Sequence, residues 1–139
     1  MDDARSIALL NRLFQIHHRS LPVYVEEARP WAPPEQQKSL ELLAAVAAEE
    51  RQTARRIAEA IQEQGGSVDP GRFPTAFTDI HDLSADYLRQ RAAELLKRDL
   101  ETIESIAADL VAAGRLHEVA DEALQQARRH LGMLRRNDE

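Results

Sequence analysis

The sequence predicts an all-α chain: four helices in two hairpins, joined by one long crossover. Three observations predict it. Four stretches carry apolar residues at helical spacing, and none sustains the alternation of a strand. The 139 residues include only 5 Gly and 6 Pro, too few for a loop-rich or all-β design. The breaks between the stretches run short, long, short, which makes hairpins of the outer pairs and a crossover of the middle connection.

The first helix is expected over 4–27, with Leu10, Leu13, Phe14, Leu21 and Tyr24 on one stripe. Pro22 inside it predicts a bend, because its ring clashes with the carbonyl four residues back. Arg29-Pro30-Trp31-Ala32-Pro33-Pro34 is a break. The second helix is expected from Pro34, a residue suited to a first turn, to Gln64. Its stripe is Leu43, Val46, Ala47, Ala54, Ile57 and Ile61, and Gly65-Gly66 stops it. The third helix should start at Ser84, a good N-cap, with Asp82 the alternative, and run to Ala113, with Gly114 closing it. Its inward residues are Leu88, Ala92, Leu95, Ile103, Ile106 and Leu110. The fourth runs over 116–136 on Val119, Ala120, Ala123, Leu131 and Leu134. A 30-residue helix is about 45 Å long. The connection over 67–83 reaches about 55 Å when extended. It is therefore long enough to run the length of the bundle and start the third helix parallel to the second. Phe73, Phe77 and Ile80 are expected to tuck it against the bundle.

Composition excludes several function classes. Net charge is −6, which argues against general affinity for nucleic-acid phosphates. Cys is absent, so disulfides, thiolate nucleophiles, iron–sulfur clusters and Cys-type zinc sites are excluded. Aromatics are 4%, which leaves the core to Leu, Ile, Val and Ala. The start lacks a signal-peptide pattern, and the apolar run Leu42–Ala48 is far too short to span a bilayer. The expectation is a single domain over 1–139, cytoplasmic, without a membrane partner. No phosphate-binding Gly loop or nucleophile–base pair is present.

Four polar residues fall within the apolar stripes. His17 lies seven residues after Leu10 and seven before Tyr24. Glu50 lies seven after Leu43 and seven before Ile57. Asp99 falls between Leu95 and Ile103, and His130 four before Leu134. At about 100° per residue, all four are expected to point at one interior layer. A buried carboxylate costs several kcal/mol without partners. Two imidazoles and two carboxylates form a ligand set for one first-row transition metal.

The pattern resembles the ferritin-like superfamily, in its bacterioferritin and rubrerythrin style. Leu10-Asn11-Arg12-Leu13-Phe14-Gln15-Ile16-His17 resembles the family's first helix, where His17 occupies a Glu-ligand position, and Tyr24 matches a family tyrosine. Glu50-Arg51-Gln52-Thr53, followed by Gly65-Gly66, resembles the second helix with its Glu-x-x-His. Asp99-Leu100-Glu101 resembles the third-helix Glu-Leu segment, and Ala127-Arg128-Arg129-His130 falls at the second Glu-x-x-His. The resemblance implies a ferritin-like four-helix bundle with one crossover between helices 2 and 3. The family's two-metal centre uses four Glu and two His. Here Thr53 stands for a His, and Ala127 for a bridging Glu, so a working di-iron centre is not expected.

Two readings follow. In the first, the chain is a divergent ferritin-like protein whose remnant site, His17, Glu50, Asp99 and His130, holds at most one iron, manganese or zinc ion. In the second, those residues pair among themselves and the chain is a metal-free interaction or assembly module. A homo-oligomer is expected in either case, and Trp31 is a candidate core edge or subunit contact.

Overall fold

The computed structural model describes residues 3–135, the side chains of His81 and Asp82 apart; the expected end of the last helix at Arg136 and any cap by Asp82 lie outside the described residues. Every described element is helical: α1 (Asp3–His18), α2 (Leu21–Ala28), α3 (Gln37–Glu63), α4 (Ala85–Asp109) and α5 (Arg115–Arg135). Short 3-10 turns cover Pro34–Gln36 and Thr75–Asp82.

The first expected helix is two helices, with a break where a bend is expected. Pro22 sits in the first turn of α2, so a continuous helix would drive its ring into the His18 carbonyl. The chain therefore leaves the helix at His18 and restarts. Ser20 turns extended (φ −72°, ψ 162°), and its hydroxyl accepts from the Val23 N–H at 3.2 Å. Pro34 opens a 3-10 turn, and the α-helix proper begins at Gln37. Gly65 takes φ +78° at the end of α3. There Gly66 N–H reaches Ile61 O and Gly65 N–H reaches Gln62 O, both at 2.9 Å, the paired bonds of a Schellman cap. Ser84 caps α4 through the Tyr87 N–H. That helix stops at Asp109, four residues short of the expected end at Ala113, so Gly114 does not close it.

Side-chain contacts set the helix directions. Arg5 on α1 pairs with Asp109 at 3.2 Å, so the start of α1 meets the end of α4. Arg56 and Glu122 (3.9 Å), and Glu63 and Arg115 (3.3 Å), run α3 against α5. Gln36 Oε1 accepts from the Ala85 N–H at 2.8 Å, and Ser39 donates to Asp86. The starts of α3 and α4 thus share one end, and those two helices are parallel. The connection between them is held along α1 and α2. Asn11 Nδ2 donates to Ser67 O at 3.0 Å and Asn11 Oδ1 accepts from Asp69 N at 2.7 Å. Gln15 donates to Asp69 O, and Arg19 to Pro70 O, both at 3.1 Å. Arg19 also lies over the Phe73 ring, and Tyr24 packs edge-on against it. Phe77 and Ile80 are buried, as expected.

The core is aliphatic, centred on Leu10, Leu13, Leu43, Ile57, Ile61, Ile103 and Leu110. On α4 the buried arc takes in Arg89, Ala93, Leu96 and Leu100 beside Leu88, Ala92, Ile103 and Ile106. Leu95 and Asp99, expected inward, sit half-buried on the edge of that arc. Among the described residues no helix is long and apolar enough to cross a membrane.

Candidate functional site

The site is an interior polar layer that crosses the bundle at mid-height. His17, Glu50 and His130 are buried, together with Thr53 and Gln126. Asp99 is half-buried. Each predicted position thus reaches the interior or its edge, but the residues sort into separate groups.

The first group is Glu50 with Asp99. Both line a cavity of about 20 Å³ shared with Ser20, Pro22, Val46 and Leu134. That is room for one water molecule. Ser20 donates its hydroxyl to Glu50 Oε1 at 2.7 Å. Burial raises the Glu50 pKa to about 8; the Ser20 bond opposes this and the Asp99 charge adds to it. Glu50 is therefore a neutral acid at pH 7. Burial also raises Asp99 to about 6, against the pull of Arg12.

The second group is built on the imidazoles. His17 Nδ1 lies 2.9 Å from the Leu13 carbonyl, one turn back on its own helix. A carbonyl only accepts, so Nδ1 carries the proton and Nε2 holds the lone pair. Burial lowers the His17 pKa to about 4, against the Leu13 bond, and the charge of nearby His130 lowers it further. His130 Nε2 donates to Glu49 Oε1 at 2.6 Å. Burial lowers the His130 pKa although Glu49 pulls it up. Glu49, bonded by His130 and by Arg129 at 3.1 Å, is held below the ordinary carboxylate range.

The third group was not anticipated. Thr53 donates to Gln126 Oε1 at 2.8 Å, one turn from the Glu49–His130 bond on both helices. Gln126 Nε2 is buried without a hydrogen-bond partner.

Three participants escaped the sequence reading. Ser20 carried a signal, since a Ser two residues before a helix-starting Pro reads as an N-cap. Glu49 carried none: helical phase points it outward, and only its length lets it reach back to His130. Gln126 gave no signal beyond its place next to Ala127. His18 stacks on Phe14 with ring centroids 4.8 Å apart, and His117 Nδ1 donates to Ala107 O at 3.1 Å, one exposed-side and one capping role.

In this structure the four expected donors are held in separate contacts. Glu50 accepts from Ser20, and His130 is engaged by Glu49, outside the expected set. Among the described residues no three His, Asp or Glu side chains gather closely enough to hold a metal. A two-metal centre fits less well still, because Thr53 and Ala127 supply neither the second imidazole nor the bridging carboxylate. Comparison with protein-family models, with curated proteins and with solved structures returns no match.

Proposed function

We propose that the chain is a divergent ferritin-like bundle whose interior layer is a metal-independent hydrogen-bonded network, and that it works as a helical assembly module. The carrying observation is that the three buried residues of the expected set have partners of their own: Glu50 with Ser20, His130 with Glu49, and His17 with the Leu13 carbonyl. Buried side chains bonded in this way orient helices without needing an ion. The parallel pairing of α3 and α4 through one long crossover supports the ferritin-like arrangement.

A second reading keeps one transition-metal ion held by His17, Glu50, Asp99 and His130. One observation favours it: His17 donates Nδ1–H to a backbone carbonyl, the orientation that metal-binding imidazoles adopt. The two readings separate in one experiment. Protein grown with iron, manganese and zinc is assayed for metal content, and its thermal unfolding is followed with and without chelator. The module reading expects substoichiometric metal and an unchanged midpoint. Metal near one equivalent, lost in His130→Ala, with a chelator-sensitive midpoint, overturns it.

A further inference from the structure

The outer surface carries one feature that the interior layer does not explain. α2 ends on Arg29 in the left-handed region (φ +49°), the single non-glycine residue with positive φ among those described. That turn sends Pro30 along a groove between α2 and α3, and leaves Trp31, the chain's only Trp, 83% exposed. The chain then tucks back at once: Ala32 is buried, and its carbonyl accepts from Gln37 Nε2 at 2.7 Å. The indole is therefore held out between two anchored neighbours.

The groove beside it has a volume of about 270 Å³, the scale of one large side chain. Val25, Leu40, Ala44 and Pro30 make it apolar, and Glu26 and Arg29 stand at its rim. Projection and groove thus belong to one surface. The rim charges are self-complementary as well. Glu26 and Glu27 lie on α2 and share a single cation, Arg51, which leaves that patch one net negative charge; Arg29 lies just past the end of α2 and has no ion-pair partner among the described residues. In a two-fold pair the order is reversed on the second copy, so Arg29 would face the net-negative α2 of the other. Leu83 and Tyr87, both exposed, stand at the same end of the bundle, where Gln36 holds the start of α4.

We propose that two copies of this chain pair through the α2–α3 corner, Trp31 of each seated in the Val25–Leu40–Ala44 groove of the other. The pairing rests on the assembly reading and names its partner and its face.

The sole Trp makes the test direct. Light scattering and tryptophan emission are recorded on the full chain across a concentration series. The expected result is a dimer whose formation coincides with a shift of emission to shorter wavelength. Trp31→Ala should weaken the dimer by roughly thirtyfold or more, the size of a hot-spot truncation, with an unchanged melting curve because the indole is exposed. Ala44→Arg, which fills the groove, should give a monomer whose Trp emission stays at the water-exposed wavelength. Arg29→Glu should weaken association, and added salt should weaken it in the parent but not in that variant. A monomer up to about 1 mM overturns the proposal, as does a dimer that survives both Trp31→Ala and Ala44→Arg. A metal-free monomer would remove this face and leave the interior network standing, whereas chelator-sensitive stability would remove the assembly reading itself.

Discussion

Replacing Glu50 by Gln tests the account of the interior layer most directly. The amide is nearly isosteric with the neutral acid and still accepts from Ser20, so the variant mimics the protonated state at every pH. In the parent, burial raises the Glu50 pKa from 4.5 to about 8. The folded state therefore binds a proton that the unfolded state has already lost across that interval. Stability is fully present below pH 4.5 and declines as pH rises through 8. At 1.36 kcal/mol per pKa unit the loss is on the order of 3–5 kcal/mol by pH 9. Asp99 adds its own decline, complete near its pKa of about 6, and the contributions of the lowered histidines are in place above pH 6.5, so the interval from pH 7 upward isolates Glu50. Urea unfolding followed by far-UV circular dichroism at pH 6, 7, 8 and 9 gives the curves. The parent should lose stability steadily while Glu50→Gln stays nearly flat, with the variant the more stable protein at pH 9. Parallel curves would refute the reasoning, since they would mean that Glu50 ionises in the folded state as easily as in the unfolded one.

Three further outcomes follow from the same layer. His17 is depressed from 6.5 to about 4, so its contribution is present above pH 6.5 and lost as pH falls towards 4, by about 3 kcal/mol at most; His17→Gln should flatten the acid limb of the stability curve measured by urea titration. Ser20→Ala removes both the α2 cap and the donor to Glu50; it should cost about 1–2 kcal/mol at pH 6 and more at pH 8, where the ionised Glu50 has lost its hydroxyl partner. Thr53→Val alone should destabilise by about 1–3 kcal/mol by orphaning the rest of the Gln126 amide, whereas Thr53→Val with Gln126→Leu should recover most of that loss in a double-mutant cycle.

The local elements were readable because their causes are local. Apolar spacing placed α3, α4 and α5 to within a few residues at most ends, and Ser84 and Gly65 marked where helices start and stop. The crossover length was enough to allow parallel α3 and α4. The anchoring of that crossover is also written in the chain: Asn11 and Gln15 on α1 and Arg19 just past its end recur every four residues and take the 67–70 backbone in turn. Pro22 signalled a disturbance, but whether it bends or breaks a helix depends on a cap being at hand, and Ser20 supplied one.

The pairing inside the layer was decided elsewhere. Sequence periodicity gives a residue's angle on its own helix and nothing about its rotation relative to the next. It could bring four polar residues to the interior, and three of them are buried there with Asp99 on the edge. It could not tell that His130 would reach Glu49 across the α3–α5 contact, that Glu50 would meet the hydroxyl that caps α2, or that Glu50 and Asp99 would share one cavity with neither imidazole lining it. Those choices are settled over a few ångströms by how the apolar faces of five helices interlock, and hydrogen bonds at 2.6–2.9 Å follow the packing rather than direct it.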